Sequence, residues 1–169
     1  MSRSGSLYLD TSVIIARYKP MDPLHDASER LFTNKVLEFL ISPITLFELY
    51  SVISMLGPNL VLPQEVKGVS LDTLVRFIIE DCNIRLISEV FFIPINLNQQ
   101  KVNLPLEYLI SITLAEKLKL RALDLLHIAY AAMLREKVKI FVTGDEEILG
   151  KKATIKKVVG IEVKHPEDI

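Results

Sequence analysis

Leu7-Tyr8-Leu9 is a short apolar run that stops on Asp10-Thr11-Ser12, after which the chain turns amphipathic. Such a run predicts a buried strand whose carboxyl end delivers a carboxylate and then enters a helix. In open α/β sheets, ligands bind in the crevice outside the carboxyl ends of the strands. A second junction of the same kind lies at Phe141-Val142-Thr143-Gly144-Asp145, where another apolar run ends on a hydroxyl, a glycine and an acid. The two together constrain the chain to a fold in which strand ends share one edge.

Between these junctions, strand and helix patterns alternate. Helices are predicted over 11–18, closed by Lys19-Pro20; from Asp22-Pro23 as N-cap and first helical residue to about 34; over 44–56, ended by Gly57-Pro58; and over 71–81, 105–118 and 123–135. Strands are predicted over 36–42, 139–142 and 158–163, and 84–87 with 91–97 supply one or two more, with Pro94 demoting 91–97 to an edge. Residues 57–70 read as a loop and 146–150 as a helical turn. β-branched apolar strands alternating with helices indicate an α/β protein with a mostly parallel sheet covered by helices.

The length of 169 residues fits one domain spanning 1–169, and no repeat or linker marks a boundary. Hydrophobic residues make up 50% of the chain and the formal net charge is -1, which argues against disorder and against a partner chosen by bulk charge. The longest apolar stretch, 36–56, contains Glu38, Glu48 and Pro43, so it reads as a strand and helix rather than a membrane span. Arg3 is followed by no apolar signal region, which predicts a cytoplasmic protein with no membrane association. Cys82 is the single cysteine, so a thiolate cage is excluded and any metal must use oxygen or imidazole ligands; His25, His127 and His165 lack close ligand spacing, which disfavours zinc and points to a hard cation on carboxylates.

Four acids sit where apolar elements begin or end: Asp10, Glu48, Asp124 and Asp145. Each has a structural explanation of its own. Asp is a preferred helix cap, which suits Asp10, Asp124 and Asp145, and Glu48 near a helix N-terminus is favoured by the dipole. Leu46, Phe47 and Leu49 around Glu48 predict that its turn is largely buried. Jointly, the four are harder to explain as independent caps, because all would face one edge of a doubly wound sheet. Carboxylates brought so close repel unless a cation neutralises them, and Mg²⁺ or Mn²⁺ prefers such oxygen donors. A divalent ion there lowers the pKa of water and supports phosphodiester hydrolysis without a nucleophilic side chain. Thr11, Ser12 and Thr143 are placed to hydrogen-bond the acids or to satisfy local backbone groups. His127, one turn after Asp124, reads first as a packed core histidine and second as a cleft residue. Met55, Met133 and the phenylalanines read as core.

Leu7-Tyr8-Leu9-Asp10-Thr11-Ser12, Thr45-Leu46-Phe47-Glu48, Leu123-Asp124-Leu125-Leu126-His127-Ile128-Ala129 and Phe141-Val142-Thr143-Gly144-Asp145 occur in one order and span most of the chain. In these pieces the sequence resembles the PIN-domain metal-dependent ribonucleases, which include the VapC-type toxins. The resemblance implies a three-layer α/β/α fold and a Mg²⁺- or Mn²⁺-dependent endonuclease acting on RNA, either the toxin of a toxin–antitoxin pair or an RNA-processing nuclease. It implies Asp10, Glu48, Asp124 and Asp145 as metal-binding residues, Thr143 as a supporting polar group, and Glu146 as a candidate to share the role of Asp145. It further implies a homodimer and, for a toxin, a small antitoxin partner covering the acidic groove.

Residues 57–104 match none of these motifs and extend the domain beyond the compact toxins. Candidate phosphate contacts are Arg17, Lys19, Lys117, Lys119, Arg121, Lys151, Lys152, Lys156 and Lys157, against the alternative of a solvated face. Two other readings compete. A haloacid-dehalogenase-like phosphatase requires a second Asp two residues after the first, where Ser12 stands. A catalytically silent PIN-like binding module would keep the fold without needing four intact acids.

Overall fold

The computed structural model describes residues 5–56 and 59–169. Five parallel strands form one sheet in the order β3-β2-β1-β6-β7, comprising β1 (Ser6–Leu9), β2 (Glu38–Ile41), β3 (Ile84–Leu86), β6 (Val138–Val142) and β7 (Glu162–Lys164). The chain moves outward from β1 through β2 to β3, then returns to the other side of β1 for β6. The strand order therefore reverses at β1, and a crevice opens beyond its carboxyl end.

Alternation along the strands, interrupted where the β1–β6 register shifts between Ser6 and Leu7, sends side chains to two separate cores. Leu7, Leu9, Phe39, Ile41 and Val142 pack on one face with α1 (Thr11–Ala16), α2 (His25–Thr33), α3 (Pro43–Leu56) and α4 (Leu71–Asp81). Tyr8, Leu40, Val138, Phe141 and Val163 pack on the other with α5 (Leu106–Leu118), α6 (Ala122–Met133) and α8 (Lys152–Val159). Burial on both faces is why the strands read as continuous apolar runs. The result is the expected three-layer α/β/α arrangement with a parallel sheet.

Several boundaries differ from the sequence expectation for local reasons. The helix expected from Asp22 begins at His25, because Asp22 Oδ1 accepts the Leu24 N–H at 3.1 Å and its carbonyl accepts the His25 N–H, forming a turn instead of a cap. The strand expected over 36–42 shortens to β2, since Asn34 Oδ1 takes the Val36 N–H in a turn. Gly57-Pro58, expected to end α3, lies outside the described residues. A 3₁₀ turn at Gln64–Val66 interrupts the expected loop.

β5 (Gln100–Pro105) and α8 have no counterpart in the sequence reading. β5 pairs with β4 (Phe92–Leu97) in an antiparallel hairpin separate from the main sheet, where Pro94 is opposite Asn103. Its turn residues Asn98 and Gln99 have φ of 46° and 69°, the left-handed pair that a two-residue hairpin turn needs. The expected strand over 158–163 is corrected: Val158 and Val159 end α8, and Gly160 at φ 80° closes that helix by donating to the Lys156 carbonyl. Ile155 and Val159 are its buried positions, one turn apart, so helical spacing prevails over β-branched composition. Within 57–104, α4 and β3 join the main fold, while the hairpin stands apart.

Candidate functional site

Asp10 follows β1 directly, its N–H pairing with the Val142 carbonyl at 3.0 Å so that the strand pairing extends to the acid itself. It occupies the N-cap position of α1, but its side chain makes no cap hydrogen bond. Instead Oδ2 accepts from Ser12 Oγ at 2.9 Å and from Thr143 Oγ1 at 2.5 Å, across the β1–β6 junction. The capping explanation therefore fails for Asp10, and both hydroxyls serve to aim a carboxylate that is 8% exposed.

Glu48, on the second turn of α3, accepts from Thr11 Oγ1 and faces His127 Nε2, each at 2.7 Å from Oε2. Phe47 beside it is 64% exposed, so the expectation that this turn is largely buried holds on one side only: α3 turns Leu49 inward and Phe47 outward, with Glu48 part-buried between them. Met55, expected in the core, is 73% exposed on the same helix, and Phe91 and Phe92 are exposed beside the hairpin.

Asp124 lies in the first turn of α6, where one oxygen takes a backbone hydrogen bond from Arg121 and Oδ2 is buried without a partner. Burial, then the charges of Asp145 and Asp10, push its carboxyl above the ordinary range. Asp145 does cap a helix: Oδ1 accepts from the N–H groups of Glu147 at 2.7 Å and Ile148 at 3.1 Å, opening α7 (Glu146–Leu149). Thr143 Oγ1 receives the Asp145 N–H at 3.0 Å, so one hydroxyl links the backbone of Asp145 to the carboxylate of Asp10. Glu146 is exposed and is not among the residues that line the cleft.

All four predicted acids line a single cleft of about 510 Å³ at the carboxyl end of β1. Asp10, Glu48 and His127 form its tightest group, with one ligand atom from each within 4.8 Å of the others. Asp124 and Asp145 line the same cleft outside that group. This donor set, with one buried carboxylate oxygen left unpaired, suits a hard divalent cation.

His127 is where sequence reasoning fell short. It is packed in the core as expected, only 2% exposed, yet its ring spans from that core to the acids. Nε2 reaches Glu48 and lies 3.8 Å from Asp10 Oδ1, while Nδ1 meets the Tyr8 hydroxyl at 3.1 Å. Tyr8 in turn touches Ser42 Oγ at 2.6 Å and Thr45 Oγ1 at 3.3 Å. Burial opposes a charged imidazole, but the Glu48 hydrogen bond and the charges of Asp10, Glu48 and Asp124 together raise its pKa above the ordinary value. Burial likewise opposes ionised Glu48, and His127 and Thr11 hold it below the usual carboxylate range. The available signals were spacing ones: His127 is one turn from Asp124, and Tyr8 shares a sheet face with Asp10 two residues on.

Among solved structures, VapBC2 from Rickettsia felis, bound to a DNA fragment from their promoter, is similar at 14% identity, covering 95% of this chain and 98% of that one with a TM-score of 0.53. VapC20 from Mycobacterium tuberculosis, a sarcin–ricin-loop-cleaving toxin, is similar at 16% identity, covering 85% and 95%, with a TM-score of 0.50. The chain has the fold of the VapC-type PIN domains. At these identities the likeness is one of fold, and the PIN-type topology is what puts the ends of β1 and β6 side by side. No protein-family model and no curated protein matches the sequence.

Proposed function

We propose that this chain is a Mg²⁺- or Mn²⁺-dependent endoribonuclease, acting as the toxin of a toxin–antitoxin pair. The observation that carries this reading is the convergence of Asp10, Glu48, Asp124 and Asp145 on one cleft at the switch point of a PIN-type sheet. Those four acids would hold the ion, which supplies charge neutralisation at the phosphate and lowers the pKa of water.

The protein's own groups set the geometry. Ser12 and Thr143 direct Asp10 through Oδ2, and Thr11 and His127 direct Glu48, so two carboxylates are held before any ion arrives. Asp124, with an unpaired oxygen and a raised pKa, is the carboxylate that gains most from a cation. Ser12, bonded to Asp10, occupies the place where a haloacid-dehalogenase-like phosphatase needs its second acid, which disfavours that chemistry.

A small antitoxin covering the cleft, a homodimer and a cytoplasmic setting complete the proposal. The fold likeness to VapBC2 and VapC20 supports it. No helix among the described residues is long and apolar enough to cross a membrane.

The test is cleavage of mixed RNAs by the purified protein with Mg²⁺ or Mn²⁺, beside Asp10→Asn and Asp124→Asn. Metal-dependent cleavage that both substitutions abolish is expected. Cleavage without added metal after chelation, or cleavage indifferent to both substitutions, rejects the site.

A further inference from the structure

We propose that Lys19 grips an RNA phosphate at the mouth of the acidic cleft, with Asp22 holding the lysine in place until substrate arrives. The inference rests on the nuclease reading above and adds a substrate-positioning residue to it.

The cleft is lined by five carboxylates, the four acids already named and Asp22. A polyanion entering it meets repulsion that a bound ion offsets only locally, so phosphates flanking the reacting one need a protein cation. Among the described residues lining the cleft, Lys19 is the one lysine or arginine. Lys119, Lys151, Lys152 and Lys157 do not line the cleft, and four further candidates are held away from it. Arg17 is tied to Glu29 and Asp81 with its guanidinium against Phe32, Arg121 pairs with Glu147, Lys156 pairs with Glu162, and Lys117 lines a different groove between α5, α6 and α8.

The segment carrying Lys19 is built to keep it there. Its N–H donates to the Ala16 carbonyl at 3.1 Å, its carbonyl accepts from the Asp22 N–H at 2.8 Å, and the neighbouring Tyr18 carbonyl accepts from Val61 N–H at 2.8 Å. Nζ lies 2.7 Å from Asp22 Oδ2, and Asp22 Oδ1 is itself fixed by the Leu24 N–H. Leu24 is seated directly over Gly144, where any Cβ would collide with it, so this rim is clasped to the loop that presents Asp145. An ammonium on a flexible stem can leave a partly exposed carboxylate for a phosphate without moving the backbone.

The experiment measures cleavage of a fluorescently labelled single-stranded oligoribonucleotide in Mn²⁺ across a salt series, for wild type, Lys19→Ala, Lys19→Arg and Asp22→Asn, with Mn²⁺ binding followed by calorimetry. Lys19→Ala is expected to raise KM about tenfold, with kcat changing less, and to lower the slope of log KM against log salt by about 0.7, one phosphate contact on a single strand. Lys19→Arg restores most of both, Asp22→Asn keeps or lowers KM, and Mn²⁺ affinity is retained in Lys19→Ala. A wild type that cleaves while Lys19→Ala keeps its KM and salt slope overturns the role of Lys19 alone. A folded wild type that binds Mn²⁺ yet neither binds nor cleaves RNA overturns the nuclease reading and this inference with it.

Discussion

His127 Nε2 stands 2.7 Å from Glu48 Oε2, joining α6 to α3 across 79 residues of sequence. The imidazole is buried, Glu48 is partly open to the cleft, and Tyr8 closes the far side of the ring. Removing the ring leaves Glu48 and the Tyr8 hydroxyl short of a partner and opens a void in the second core. His127→Ala is expected to cost about 2–4 kcal/mol, the lower side of a broken buried pair because Glu48 is partly solvated. Urea unfolding of the metal-free protein measures it; a loss below half a kcal/mol, on the order of a neutral surface change, rejects the strut.

The same pair sets a pH dependence for the metal-free protein. His127 is raised above its ordinary 6.5 in the fold, so its contribution is present below that value and is lost as pH rises through the folded pKa. Glu48 is lowered from 4.5, so its contribution is present above that value and is lost as pH falls through the folded pKa. Thermal stability in chelator should therefore be greatest between these limits and decline on the alkaline side of the imidazole range. In His127→Gln the alkaline decline disappears, which a Tm series against pH reads directly.

Asp124 pays for its position in the absence of a cation, through burial and the charges of Asp145 and Asp10. Asp124→Asn keeps an oxygen for the Arg121 backbone and removes the repulsion. The metal-free variant is expected to be more stable than wild type by a small margin, since solvent screens a half-open carboxylate, and to lose most of the stabilisation that excess Mn²⁺ gives wild type by mass action. Melting curves with and without Mn²⁺ check both; a variant stabilised by Mn²⁺ as strongly as wild type removes Asp124 from the ion's binding set.

Gly144 is required for close approach rather than for its backbone angle, since a Cβ there would come within 2.1 Å of Leu24 Cδ1. Gly144→Ala should cost about 1–2 kcal/mol as an overpacking change. Because the obstacle is one leucine side chain, Leu24→Ala in the same protein should recover part of that cost, giving a favourable coupling of about 0.5–1 kcal/mol in a double-mutant cycle. Additive losses would place the strain elsewhere.

Much of the layered fold was legible in local pattern. Leu7-Tyr8-Leu9, Phe39-Leu40-Ile41 and Ile140-Phe141-Val142 are apolar at every position because each strand feeds two cores, and 71–81 reads as a helix with the bounds it has. The hairpin turn at Asn98-Gln99 was not legible, because neither residue is glycine and the left-handed pair shows only in the dihedrals. α8 was hidden by Val158-Val159-Gly160-Ile161-Glu162-Val163, a run with strand composition that Gly160 divides into helix end and strand.

Sequence alone determined the alternation of strands and helices, the two strand-to-acid junctions and the separation of Asp124 and His127 by one helical turn, since all of these are properties of neighbours along the chain. Only the tertiary structure decided that Asp145 caps a helix while Asp10 does not, that Arg17 is tied to Glu29 and Asp81 while Lys19 is held by Asp22 at the cleft, and that His127 reaches Glu48. Those outcomes depend on which distant group arrives within hydrogen-bond range, and the order of strands in the sheet sets that distance.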